Sequence, residues 1–184
     1  MHLEGEEEID ASKNTVWEAL NNPEILKECI AGCSKIEKVN STEFVLTMTA
    51  SVGPVKAKFN GKLKLKNLDP PNAYTIDFNG SGGVAGFGKG SAEVKLIEEN
   101  SKTLLKYTAE ASVGGKLAQV GARLIDGVAK KMATDFFAKF KNSVHKEPAP
   151  SDENDEKIGG SQTSSLVFWA LVVLALILLY QSWA

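Results

Sequence analysis

Apolar residues recur with period two along most of the chain and with a period of three to four from about residue 117, so strands give way to a helix. Glu4 to Asp10 reads as a strand. Asp10-Ala11-Ser12 then offers a cap for a short helix through Leu20, and Asn22 caps a second short helix that has Pro23 at its first position. From Glu43 to Val52, Phe44, Leu46, Met48, Ala50 and Val52 alternate with other residues. Beyond Gly53-Pro54, Val55, Ala57, Phe59, Leu63 and Leu65 alternate with Lys56, Lys58, Lys62, Lys64 and Lys66, which predicts an antiparallel strand with one wet face. Asp69-Pro70-Pro71-Asn72 is a turn. Tyr74, Ile76 and Phe78 mark the next strand, and Ala92, Val94 and Leu96 another. Asn100-Ser101-Lys102 turns into the last strand, with Leu105, Tyr107, Ala109, Ala111 and Val113 facing one way.

Leu117, Val120, Leu124, Val128, Met132, Phe136 and Phe140 then recur at three and four residues, predicting one amphipathic helix of about 28 residues, ~40 Å long. A long helix after six or seven antiparallel strands has an obvious use. Its apolar face closes over the concave side of the sheet, giving an α+β domain. The candidate ligand-binding residues follow from that closure. The sheet offers Phe44, Leu46, Met48, Phe59, Leu63, Ile76, Phe78 and Tyr107, and the helix offers Leu117, Val120, Gly121, Leu124 and Val128. Glycine inside a helix costs about 1 kcal/mol against alanine. Gly121 and Gly127 therefore either permit close helix–sheet packing or leave room for an apolar ligand, and composition alone does not separate the two.

Charge divides the chain further. The net charge is −2, yet residues 1–146 carry 20 basic and 18 acidic side chains, 147–165 carry one Lys against five acids, and 166–184 carry none. Residues 166–184, LVFWALVVLALILLYQSWA, are long enough at 1.5 Å per residue to span a bilayer, with Trp169, Tyr180 and Trp183 near the two ends. A single-pass C-terminal transmembrane anchor is expected there. The Pro-, Gly-, Ser- and acid-rich stretch 146–165 cannot bury enough surface to fold and reads as a flexible linker. The start, MHLEGEEEID, has neither a basic nor an apolar signal region, so residues 1–145 are expected in the cytoplasm. Two cysteines, Cys29 and Cys33, suit a reducing compartment. A near-neutral domain offers no bulk electrostatic reason to bind nucleic acid.

Chemistry is sparse. The stretch Gly80-Ser81-Gly82-Gly83-Val84-Ala85-Gly86-Phe87-Gly88-Lys89-Gly90 matches neither phosphate-loop spacing, and a strand follows where a helix N-terminus would be needed. It reads as a hairpin connection with bulges, in which Phe87 is a candidate gate to a cavity and a further candidate ligand contact. His2 and His145 lie at the two ends of the domain, so no nucleophile–base set, metal site or cofactor is expected and the chain is read as non-catalytic. The lysine ladder is either a solvated face that blunts aggregation or a docking surface for an acidic partner or for lipid headgroups; the acidic partner is favoured because the tail already supplies anchoring, with Lys58, Lys62 and Lys64 as candidates.

The segments Asn22-Pro-Glu-Ile-Leu-Lys-Glu-Cys-Ile-Ala-Gly-Cys33 and Gly114-Gly-Lys-Leu-Ala-Gln-Val-Gly-Ala-Arg-Leu-Ile-Asp-Gly-Val-Ala-Lys-Lys-Met-Ala-Thr-Asp-Phe-Phe137 resemble the CoxG family of carbon monoxide dehydrogenase subunits over about residues 1–144. Ala31 stands where that family usually has proline. The resemblance implies a helix-grip domain of the Bet v 1/START-like (SRPBCC) superfamily, matching the order of elements, with a lipophilic cavity and no catalysis of its own. It also implies association with a molybdenum hydroxylase of the carbon monoxide dehydrogenase type, often through a C-terminal membrane helix. Respiratory quinones are confined to the bilayer, so a tethered apolar grip suits sheltering a quinone for the enzyme. The alternatives are a membrane-recruitment or assembly factor without ligand delivery, and a carrier of another lipid.

Overall fold

A computed structural model of the chain describes residues 1–145; the expected linker 146–165 and transmembrane tail 166–184 lie outside the described residues. Seven strands form one antiparallel sheet: β1 (His2–Ile9), β2 (Cys33–Lys38), β3 (Glu43–Val52), β4 (Val55–Asp69), β5 (Ala73–Ser81), β6 (Phe87–Glu99) and β7 (Lys102–Gly114). Their order is β1-β7-β6-β5-β4-β3-β2, so the meander β2–β7 is closed by β1 returning beside β7. Helices α1 (Lys13–Leu20) and α2 (Pro23–Cys29) join β1 to β2. A short 3-10 turn, Gly83–Ala85, joins β5 to β6, and α3 (Lys116–Gln119) and α4 (Ala122–Val144) complete the described chain.

Both short helices start as the sequence predicts. The Ser12 hydroxyl accepts from the Thr15 amide at 3.2 Å and the Asn22 carbonyl side chain accepts from the Glu24 amide at 2.9 Å, supplying partners that first-turn amides otherwise lack. The alternation of β3 and β4 is also met, with Phe44 opposite Leu63 and Met48 opposite Phe59 on one face. That face carries the core. Ile9, Val16, Cys29, Phe44, Leu105 and Phe140 are each at most 2 % exposed, and Trp17 of α1 meets Tyr74 of β5 edge-on at 5.2 Å.

Two features depart from the sequence reading. The alternation marks no strand over Cys33–Lys38, but β2 pairs with β3 there as an edge strand whose register slips between Cys33 and Lys35. The expected single helix is also two. The chain breaks at Gly121, which holds φ +92°, a conformation in which a helix cannot continue; α4 restarts beyond it with a new phase. Leu124, on the expected apolar stripe, is consequently 42 % exposed. Among the described residues no helix is long and apolar enough to cross a membrane.

Candidate ligand cavity

The concave face of the sheet and the inner face of α4 border two apolar spaces, both partly open to solvent, that share Leu63. The deeper one, about 300 Å³, lies under the C-terminal half of α4 and is lined by Phe44, Leu63, Ile76 and Tyr107 together with Ala133, Phe136 and Phe137. The second, about 290 Å³, lies nearer the start of the helix and is lined by Leu46, Met48, Phe59, Leu63, Phe78, Leu117 and Met132. Nine of the candidate residues therefore border the two spaces: Phe44, Leu46, Met48, Phe59, Leu63, Ile76, Phe78, Tyr107 and Leu117. Small ligand sites are concave and mostly apolar with few polar groups, and these walls meet that description.

The remaining five do not border them. Val120 sits at the α3 C-cap, Gly121 is the residue at the break, Leu124 points to solvent above the β3–β4 turn, and Val128 is half-buried on α4 outside both linings. Phe87 is 49 % exposed on the outer face, where its ring covers Gly114 of β7 and borders a third, mostly apolar hollow of about 540 Å³ rimmed by Lys35, Asn60, Lys62 and Lys89. It closes neither space. The two glycines expected within the helix also part company with the packing explanation. A Cβ on Gly121 or Gly127 would meet nothing within 4 Å, so neither serves close helix–sheet packing.

Spacing along one strand conceals the floor of the second space. Gly61, Gly80 and Gly88 fall opposite one another on β4, β5 and β6, between Leu46 on β3 and Val113 on β7. Other strand glycines are covered by rings of the protein itself: Tyr107 lies over Gly5, Phe78 over Gly90 and Phe87 over Gly114. No ring covers the three-glycine row, although a Cβ on Gly61 would stand 3.3 Å from the Leu46 side chain and the Asn79 carbonyl. A Cβ at Gly80 would find its nearest neighbour at 3.7 Å and one at Gly88 at 3.8 Å. With strands ~4.8 Å apart, Gly80 and Gly88 leave a strip of bare backbone roughly 5 Å wide beside Leu46 and Gly61. The sequence shows the glycines singly; only register brings them together.

Among the described residues, the polar side chains bordering the two spaces are Tyr74 and Tyr107 at the deeper one and Asn79 at the second. Burial pushes the Tyr74 hydroxyl well above its ordinary pKa, and burial, followed by the nearby Glu7 carboxylate, raises Tyr107. Both stay neutral at physiological pH. The Cys29 thiol is raised mainly by burial, its sulfur 3.9 Å from the Ser143 hydroxyl, so it is not an activated nucleophile. One side-chain oxygen, Asp126 Oδ1 on α4, is buried without a hydrogen-bond partner among the described residues. No group of three His, Cys, Asp or Glu side chains gathers among the described residues.

The lysine ladder is divided by its cross-strand partners. Lys64 pairs with Glu43 at 3.3 Å and Lys66 pairs with Asp77, whereas among the described residues Lys56, Lys58 and Lys62 have no acidic group within salt-bridge distance. Of the three docking candidates, Lys58 and Lys62 keep an unpaired charge and Lys64 does not.

Comparison with known proteins gives this geometry its relatives. The profile of the family described as the CoxG subunit of carbon monoxide dehydrogenase matches residues 5–145. A conserved protein from Geobacillus kaustophilus is similar in structure at a TM-score of 0.74 and 32 % identity, over 79 % of this chain and 96 % of that one. The ZhuI aromatase/cyclase from Streptomyces sp. R1128 is similar at a TM-score of 0.59 and 14 % identity, over 79 % of this chain and 93 % of that one. Ara h 8.0201 is similar at 0.55 and 17 %, over 80 % and 99 %. The last two share the Bet v 1-like fold alone. No curated protein matches the chain.

Proposed function

The chain belongs to the CoxG family of carbon monoxide dehydrogenase subunits, and from that premise we propose that it is a non-catalytic accessory protein of a molybdenum hydroxylase of the carbon monoxide dehydrogenase type, which holds a lipophilic ligand, a respiratory quinone, between sheet and helix. The observation that carries this reading is the pair of apolar spaces beneath α4, bordered by neutral tyrosines and aliphatic and aromatic side chains. Removing a ligand's apolar surface from water at about 25 cal/mol per Å² supplies the affinity. Neither an acid–base pair nor an activated nucleophile borders these spaces among the described residues, which supports binding in preference to turnover.

The uncharged segment 166–184 supports anchorage in a membrane, with residues 1–145 on the cytoplasmic side where the cysteines Cys29 and Cys33 stay free. Lys58 and Lys62 support contact with an acidic surface of the oxidoreductase, acting on encounter rate and salt sensitivity. Mixing the full chain, the reduced hydroxylase and quinone-containing vesicles should raise the rate of quinone reduction severalfold over enzyme and vesicles alone. No increase would overturn ligand delivery; an increase that survives loss of cavity occupancy would favour simple recruitment.

A further inference from the structure

Carboxylates are absent from three segments that share one end of the domain. No Asp or Glu occurs over residues 44–68, 78–92 or 111–125, whereas Lys56, Lys58, Lys62, Lys64, Lys66, Lys89, Lys116 and Arg123 all fall there. The fold gathers the tips of these three segments. The β3–β4 turn meets the start of α4, since a Cβ on Gly53 would touch Leu124, and the 3-10 turn meets the β7–α3 junction, where Gly86 lies against Gly115. Lys64 and Lys66, farther along β4, are neutralised by Glu43 and Asp77, so the unpaired charge concentrates toward the tip.

The same tip carries protruding apolar side chains. Val84, on a turn flanked by Gly82, Gly83 and Gly86, is 87 % exposed, and Phe87 and Leu124 are 49 % and 42 % exposed. Cations from three segments around solvent-facing apolar residues from two of them make the composition of a surface that dips into an anionic lipid headgroup layer: the cations meet the phosphates and the apolar tips reach the acyl boundary. Lys58 and Lys62, farther along β4 from the turn than Lys56, remain for the acidic surface of the oxidoreductase; at the tip itself such a surface would meet Lys56, Lys116 and Arg123 but would leave Val84 without a reason to protrude. We infer that this tip, comprising the β3–β4 turn, the 3-10 turn and the α3–α4 junction, docks on an anionic bilayer surface. The placement has a consequence for the cavity. Val52 and Leu117, which border the second apolar space, belong to this end, so a lipid-soluble ligand can pass between bilayer and cavity without crossing water.

Lipid is the surface at hand because residues 166–184 are read as a bilayer span, and the two contacts are separable by experiment. The full chain, carrying Val84→Cys and Cys33→Ser with Cys29 buried, is labelled at residue 84 with an environment-sensitive fluorophore and mixed with phosphatidylcholine vesicles with or without ~30 % phosphatidylglycerol, both containing spin-labelled lipid. Flotation with the zwitterionic vesicles reports the tail; quenching at residue 84 reports the tip. Quenching is expected only with the anionic vesicles, absent for a label at Glu98→Cys on the far end of β6, and lost in Lys56→Glu/Lys116→Glu/Arg123→Glu. A label at 84 that stays in water on anionic vesicles, or equal quenching at 84 and 98, overturns the inference. So does shielding at 84 that arises only when the oxidoreductase is added, which would assign the tip to a protein.

Discussion

Tyr107 of β7 and Phe137 of α4 stack with ring centroids 5.2 Å apart and planes inclined by 26°. The contact ties the sheet to the C-terminal half of the helix at the wall of the deeper space, and Phe136 meets Phe137 edge-on beside it. Truncating Phe137 to alanine is expected to destabilise the domain by about 3–5 kcal/mol, since the side chain is almost fully buried. In a double-mutant cycle with Tyr107→Leu, urea unfolding should show a coupling of about 0.5–1.5 kcal/mol for the ring pair. Additive single effects would mean that the stack carries no energy beyond burial.

Gly127 within α4 and Gly121 at the break before it predict opposite signs. Gly127 lies inside α4 with open space where a Cβ would be, so Gly127→Ala should stabilise by about 0.5–1 kcal/mol. Gly121 holds φ +92°, which alanine adopts only under strain, so Gly121→Ala should destabilise by about 1 kcal/mol or more although nothing crowds it. Thermal unfolding of the two variants side by side reads both signs.

Filling the glycine row tests the floor without breaking the fold. Gly80→Val adds a β-branched side chain to a strand where the nearest atoms stand at 3.7 Å, so stability should stay within about 1 kcal/mol of the parent or rise. Gly90→Val is the contrasting change. Its Cβ would collide with the Glu110 carbonyl and the Phe78 ring, and a loss of several kcal/mol is expected.

Exposed ion pairs set the acid limb of stability. Hydrogen bonding and charge from Lys102 hold Glu8 below the usual carboxylate range; Asn40 and then Lys64 do so for Glu43, and Lys66 and Ser91 for Asp77. A depressed folded-state pKa stabilises fully above the ordinary carboxylate value near 4, and that stability is lost as pH falls through the lower folded values. Denaturant midpoints should therefore be flat from about pH 7 to 5 and decline below about 4. Because all three groups face solvent, the decline should be shallow in high salt.

Local rules made the caps and the central strands legible. Ser12 and Asn22 act on amides two or three residues away, and the alternation over 43–66 states which side of β3 and β4 is wet. What failed was non-local. The 3-4 spacing from Leu117 to Phe140 runs on across Gly121, so periodicity concealed the helix break and misplaced Leu124. Phe87 reads as a gate within its loop, but pairing with Gly114 turns it outward. The lysine ladder looks uniform along β4; Glu43 and Asp77, brought in by register, neutralise its far end.

The central claim is that the space over Gly61, Gly80 and Gly88 holds a lipophilic ligand, and the amount of solvent-extractable lipophile per purified chain tests it most directly. Full-length protein and its Gly80→Val variant, purified in parallel from membranes and extracted with organic solvent, are compared by mass spectrometry. About one molecule of one quinone-like lipophile per parent chain, falling at least fivefold in a folded variant, is predicted. Parent protein with no bound lipophile, or equal amounts in both proteins, would contradict it.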